Sequence, residues 1–268
     1  MKLVTLNMHS WLESYQIPKL YRIADTILRE GVDVIALQEV NQYPETPKAP
    51  VSPGLAFSYF RPIREDNAAH LLVRILRAKE PETPWSWVWV GTHRGFDTYD
   101  EGLALISRTP IEASRDLSHG GHYLWEDHRR RRTAAIRTQG RWVLSSHFSW
   151  WPAFRREWEA LRPQLAELRA EGPVIIAGDF NNPASAVGEG YELVAADGWR
   201  DSYLSARARE GEATVHRVID GWDEVGESLR IDYVWCTPDL DPLSYRVLFR
   251  DDTDHAVSDH SGILVEIS

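Results

Sequence analysis

Four short apolar runs in this chain each meet a polar group able to hold a cation or move a proton. Leu3-Val4-Thr5-Leu6 leads into Asn7, and Val34-Ile35-Ala36-Leu37 leads past Gln38 into Glu39. Pro173-Val174-Ile175-Ile176-Ala177 leads through Gly178 into Asp179, with Asn181 two residues on. Near the end, Asp259-His260 stands just before Gly262-Ile263-Leu264-Val265. Singly these are weak signals, since an acid at a strand end can close a turn and an Asp-His pair can sit on a surface. Jointly they bring carboxylates, amides and an imidazole to one edge of a set of strands. Oxygen ligands of this kind select a hard cation, Mg²⁺ or Mn²⁺, over zinc. Such a cation offsets the negative oxygens of a phosphoester and polarises its phosphorus. The pattern implies metal-dependent phosphoester hydrolysis. Glu39 is the hardest of the set to explain structurally, because an acid following a buried apolar run needs a partner.

These groups need rigid elements behind them. Residues 2–8 read as a strand, and Ile17, Leu20, Ile23, Ala24, Ile27 and Leu28 recur at helical spacing up to Gly31. Residues 32–40 form an apolar run too short for a helix, hence a buried strand. Residues 41–62 carry Pro44, Pro47, Pro50, Pro53 and Pro62 and read as a loop. Asn67 can cap a helix bearing Leu71, Leu72, Ile75 and Leu76. Trp85, Trp87 and Trp89 alternate along a strand with one aromatic face. Further strands are expected at 103–107, 132–137, 141–147, 173–179, 231–236, 243–248 and 262–267, with a hairpin turn at Gln139-Gly140. Residues 153–171 read as a helix that Pro163 should kink, and 187–196 as a short one. Strands and helices interleave throughout, which suits an α/β chain of two sheets packed face to face with helices outside each.

The 268 residues suit one domain spanning 1–268, and 43% apolar with 26% charged residues marks a globular protein. A net charge of -10 argues against a long polyanionic partner, though a local basic strip would suffice for one. The lone cysteine, Cys236, excludes an intramolecular disulfide and reads as a buried thiol. No signal peptide and no bilayer-length apolar segment is evident, so the expected compartment is cytoplasmic, with no membrane partner.

Six motifs in order carry a resemblance: Thr5-Leu6-Asn7, Leu37-Gln38-Glu39-Val40, Gly102-Leu103-Ala104-Leu105-Ile106-Ser107-Arg108, Gly178-Asp179-Phe180-Asn181, Ile231-Asp232-Tyr233-Val234 and Ser258-Asp259-His260. The chain resembles the endonuclease/exonuclease/phosphatase, or DNase I-like, superfamily over its whole length. The resemblance implies a four-layered α/β/β/α sandwich with two mixed sheets. It implies Glu39 as principal metal ligand, with Asn7 and Asp259 assisting, for Mg²⁺ or Mn²⁺. It implies that Asp179 orients or deprotonates the attacking water and that Asn181 and His147 bond phosphate oxygens. His260 would be general base or cationic stabiliser, oriented by Asp232. Each position has a structural alternative: His147 as a satisfied core histidine, Asn7 as a strand-end amide.

For substrate, Met1 to Trp11, Gly95 to Gly102 and His147-Phe148-Ser149-Trp150-Trp151 are similar to a bacterial branch containing maltose-phosphate phosphatase. That implies a small phosphorylated partner such as a sugar phosphate. Within Arg129-Arg130-Arg131-Arg132, one or two guanidinium groups, Arg131 and Arg132, are expected to clamp phosphate, the rest being a solvated run. Trp150 can stack on a substrate ring or simply pack, and His9 is placed near the site by its distance from Asn7. Competing readings are a DNA endonuclease or exonuclease, a sphingomyelinase-like phosphodiesterase, and a catalytically inactive binding protein on the same fold.

Overall fold

A computed structural model describes residues 1–219, 221–222, 228–253 and 255–268. Two sheets face each other across an apolar layer, with helices on both outer faces. Among the described residues the first sheet has eight strands. These are β1 (Lys2–Asn7), β2 (Val34–Gln38), β3 (Leu55–Tyr59), β4 (Ser86–Gly95), β5 (Tyr99–Ser107), β11 (Ala208–Glu210), β13 (Pro242–Leu248) and β14 (Gly262–Ile267). They lie in the order β11-β13-β14-β1-β2-β5-β4-β3. The second sheet contains β6 (Ala113–Ser118), β7 (Arg132–Thr138), β8 (Arg141–His147), β9 (Val174–Asp179), β10 (Arg200–Asp201) and β12 (Asp232–Cys236), ordered β10-β12-β9-β8-β7-β6. Both sheets are mixed: β1 runs parallel to β2 and β8 parallel to β9, while β14, β5, β7 and β12 pair antiparallel with their neighbours. The expected four-layered α/β/β/α sandwich is the fold observed.

Alternation along the strands builds the layers. On β1 and β2, Val4, Leu6, Ile35 and Leu37 face α1 (Gln16–Glu30) and α2 (Ala68–Lys79), where Leu20, Ile23, Ile27, Leu72 and Leu76 complete one core. Leu3, Val34 and Ala36 face the other way and meet Ile136, Val143, Ile175 and Val234 of the second sheet. Beyond that sheet, α3 (Ala153–Glu171) buries Phe154, Trp158, Leu161, Leu165 and Leu168 at helical spacing. The short helix α4 (Gly190–Ala196) lies on the same side, adding Val194, and α5 (Ser202–Ser205) packs beside β10 and β12.

The local signals mostly operate as read. Gly31 closes α1 at φ 64°, and Asn67 accepts from the His70 N–H at 3.1 Å to cap α2. Gln139 and Gly140 both take positive φ, 51° and 71°, as a two-residue hairpin turn requires. Four expectations need correction. The proline-rich segment 41–62 contains β3, a half-exposed strand added in parallel at the sheet edge. α3 continues through Pro163, because Pro163 and Glu159 lie on its exposed face, where water can serve the freed carbonyl. β5 begins at Tyr99, four residues early. The short helix begins at Gly190, leaving Val187 exposed.

Gly178 is placed where no side chain fits. It has φ 144°, and a Cβ would sit 1.9 Å from the Ser146 carbonyl oxygen on β8. Gly178→Ala is therefore expected to lower stability by about 2 kcal/mol or more, through strain and strand displacement. A urea midpoint equal to that of the unmodified protein would contradict this.

Candidate active site

The predicted residues converge at one end of the sandwich. Asn7 ends β1, Glu39 follows β2, His147 ends β8, Asp179 ends β9, Asp232 opens β12, and Asp259-His260 precedes β14. Antiparallel pairing makes the starts of β12 and β14 coincide with the ends of β9 and β1. A cavity of about 190 Å³ lies here, lined by His9, Glu39, His93, Glu101, Arg131, His147, Asp179, Asn181, Asp259 and His260. Phe96, Trp150 and Ile219 supply apolar wall.

Backbone strain concentrates at this cavity. His9, Glu39, Phe96 and Asn181 all hold positive φ between 42° and 50°, which non-glycine residues rarely adopt. Such outliers persist only where surrounding bonds fix them, and they cluster at functional sites. At Glu39 those bonds are clear. Ser10 Oγ donates to the Glu39 carbonyl at 2.6 Å, and the Val40 N–H donates to Gly102 O at 2.8 Å.

Asn7 Nδ2 donates to Glu39 Oε1 at 2.9 Å and to Asp179 Oδ2 at 3.1 Å, tying the two acids together. The Asn7 oxygen, the atom a cation would take, instead accepts from the His9 N–H at 3.1 Å. Glu39 Oε2 is buried with no hydrogen-bond partner among the described residues. Burial, with the Asp259 charge, raises the Glu39 carboxyl above its ordinary range. An orphaned carboxylate oxygen facing a second acid fits a hard divalent cation, and Glu39 with Asp259 would hold it. His9 Nδ1 is 2.8 Å from Glu13 Oε1 and 3.6 Å from Asp259 Oδ1, and these three side chains have ligand spacing.

His260 Nδ1 bonds Asp232 Oδ2 at 2.9 Å, and His260 Nε2 lies 3.7 Å from Asp179 Oδ2. Burial opposes a charged imidazole here, but Asp232 and Asp179 outweigh it and hold His260 well above the usual histidine range. Asp179 is pushed up to about 7, by burial and then by Asp232. His147 is driven well below the usual range, by burial and then by Arg131, so it is neutral. Asn181 Nδ2 donates to His147 Nε2 at 3.2 Å and to Phe148 O at 3.0 Å, while Trp222 Nε1 donates to Asn181 Oδ1 at 3.2 Å. His147 thus carries its proton on Nδ1, facing Glu101 Oε1 at 3.8 Å.

Of the four consecutive arginines, Arg131 alone lines the cavity. It is 6% exposed, and its Nε has no partner among the described residues. Arg132 does not join it: its guanidinium pairs with Asp116 on β6 and lies 4.6 Å from the Phe60 ring centre. That corrects its expected phosphate role. Arg129 pairs with Asp127, and Arg130 is bonded to the Gly91 and Thr92 carbonyls. Trp150 and His9 do reach the cavity.

Glu101, His128, Phe96 and Ile219 line the cavity without having been predicted, and His93, which the sequence offers only as one of several histidines able to face a substrate, joins them. Glu101 had a weak signal, an acid next to Asp100 just before the apolar run that begins at Leu103. It is fully buried and raised to about 8, by burial and then by Glu39. Periodicity does not place His93, because a bulge between Gly91 and His93 breaks the alternation set by Trp87 and Trp89.

The Endonuclease/Exonuclease/phosphatase family model matches residues 18–260. A protein of that family from Leptotrichia buccalis C-1013-b is 30% identical, at TM-score 0.85, with 100% of this chain and 99% of that one covered. The Bacteroides thetaiotaomicron mannosyl-6-phosphatase shares the fold at TM-score 0.66 and 17% identity, with 100% and 99% covered. Truncated Caenorhabditis elegans TDP2 does so at TM-score 0.66 and 14% identity, with 98% and 95% covered. No curated protein matches the chain by sequence.

The raised acids set a pH dependence. Glu101 at about 8 and Asp179 at about 7 keep protons in the folded state that the unfolded chain has released near 4.5 and 3.8. His260, raised above 6.5, acts in the same sense above that pH. The depressed His93 and His147 act oppositely, but only below 6.5. From pH 6.5 to 8 the folded state therefore binds more protons, and stability falls as pH rises. Urea midpoints in a chelator should decline across that window, less steeply in Glu101→Gln. A flat profile in the unmodified protein would refute the assignment.

Proposed function

The chain belongs to the endonuclease/exonuclease/phosphatase family, and on that premise we propose that it is a divalent-metal-dependent phosphomonoesterase of a small phosphorylated metabolite such as a sugar phosphate. One observation carries the reading: the cavity is small, and it is lined both by buried Arg131, whose Nε has no partner among the described residues, and by Glu39, whose Oε2 has none. A cavity of about 190 Å³ lies below the ~300–1,000 Å³ of sites for drug-sized ligands, so it suits a phosphate with a modest alcohol. Phe96 and Trp150, each partly exposed, offer apolar faces on which a sugar ring can rest. The net charge of -10 disfavours a polyanion and leaves local cations to bind one phosphate. A fold relative that is a mannosyl-6-phosphatase is compatible with this substrate class.

In this reading Mg²⁺ or Mn²⁺ held by Glu39 and Asp259 supplies charge neutralisation of the phosphate oxygens. Arg131 binds the phosphate, its guanidinium having the geometry for a forked pair of bonds. Asp179, at about 7, accepts a proton from the attacking water at neutral pH. His260, kept protonated by Asp232 and Asp179, serves as cationic stabiliser of the developing charge and as proton source for the leaving oxygen. His147 stays neutral, its Nε2 held by Asn181, and a phosphate oxygen competes with His147 for that amide. The buried Cys236 thiol suits a cytoplasmic chain.

The purified protein is expected to release phosphate from hexose phosphates with Mg²⁺ or Mn²⁺ and to stop in EDTA. His260→Ala should lower kcat by about 10²-fold or more. Arg131→Ala should raise KM by about tenfold, the effect of ~1.4 kcal/mol of lost binding. Cleavage of DNA at sub-stoichiometric enzyme, with no release from monoesters, would replace this reading by that of a nuclease.

A further inference from the structure

We propose that Asp251 is a positioning residue for the Asp232–His260 pair, acting through Ser261 and Thr214. The pair needs one. Asp232 opens β12 in the six-stranded sheet, whereas His260 precedes β14 in the eight-stranded sheet, so their 2.9 Å bond spans two sheets. Its length depends on how the two strand ends are held against each other.

Thr214 stands between them. Its Oγ1 accepts from the Ile231 and Asp232 N–H groups, each at 3.3 Å, and its carbonyl accepts from the Ser261 N–H at 2.7 Å. One residue thus fixes the backbone of Asp232 on one side and the neighbour of His260 on the other. Ser261 is fixed in turn by Asp251. Ser261 Oγ donates to Asp251 Oδ1 at 2.8 Å and accepts from the Asp251 N–H at 3.1 Å. Asp251 also takes the His216 N–H at 2.8 Å and His216 Nδ1 at 2.5 Å, which anchors the segment carrying Thr214. Thr214, Asp251 and Ser261 are each at most 1% exposed, so water cannot substitute for a lost bond.

The same carboxylate anchors His216, three residues before Ile219 of the cavity wall. Beyond His216, Ile219 lines the cavity wall, Gly221 packs against Trp150, and Trp222 bonds Asn181. Asp251 therefore sets the place of His260 and of part of the substrate wall while touching neither substrate nor reacting atoms.

The inference concerns the His260 site of the proposed phosphatase, and its test has an arm that needs no substrate. Asp251→Asn keeps the size but loses the charge, Ser261→Ala removes the hydroxyl bridge, and Thr214→Val serves if Asp251→Asn does not fold. Arg217→Ala is the control, because this half-exposed guanidinium lies 3.9 Å from the outer oxygen of Asp251. The first readout is the downfield proton resonance of His260 Nδ1–H, assigned by its loss in His260→Ala. It should broaden or vanish in the Asp251, Ser261 and Thr214 variants and persist in Arg217→Ala. The second is turnover: kcat should fall about 10- to 100-fold, as for other groups that orient a ligand from behind, with KM changed by less than about threefold. An intact His260 resonance in all three variants, or an unchanged kcat per folded molecule with only the melting temperature lowered, overturns the proposal. No turnover by the unmodified protein counts against the phosphatase reading alone, since the resonance still decides the role of Asp251.

Discussion

The site depends on a few polar bonds that cross the otherwise apolar layer between the sheets. Asn7 of the first sheet holds Asp179 of the second, and Asp232 of the second holds His260 beside the first. Gln38 Nε2 donates to Ser145 Oγ at 2.9 Å, and Ser145 Oγ donates to Leu37 O at 2.9 Å. Each such group would cost about 1–3 kcal/mol if buried without a partner. They are tolerated because each finds its partner across the gap, and only at one registration of the two sheets. The apolar core between them supplies most of the adhesion, while these bonds select which registration is kept.

The same burial creates the electrostatic pattern. Glu101, Asp179 and Asp232 are at most 4% exposed, and Glu39 and Asp259, half-buried, line the same cavity as Glu101 and Asp179. Burial raises three of them, and the histidines divide according to their neighbours. His260, between two carboxylates, keeps its proton despite burial; His147 and His93, buried and then repelled by Arg131, lose theirs. Two histidines a few ångströms from one acid thereby acquire opposite protonation, the separation of roles that acid–base chemistry at neutral pH requires.

Those parts of the site that hang on strand periodicity were legible in the sequence. Asn7, Glu39, Asp179 and His260 were visible because apolar strands end on them, and the superfamily resemblance gave their order. What escaped was set by geometry that periodicity does not encode. His93 is turned by a bulge, Arg131 and Arg132 are separated by which one meets Asp116, and Ile219 arrives on a non-repetitive segment. β3 was hidden because prolines around it signal a loop, and an exposed edge strand needs little apolar pattern of its own. Pro163 misled for a similar reason: a helix breaker is tolerated where solvent replaces the lost bond.

The apolar cavity wall comes from three separate places: Phe96 between β4 and β5, Trp150 before α3, and Ile219 on the segment before β12. None of these lies on a strand that carries an acid or histidine of the centre. Substitutions at Phe96 and Trp150 can therefore reshape the wall without moving a strand that bears an acid or a histidine, whereas Ile219 shares its anchor, Asp251, with His260. Under the proposed phosphatase reading, the first two segments are where a change of alcohol would disturb the chemistry least.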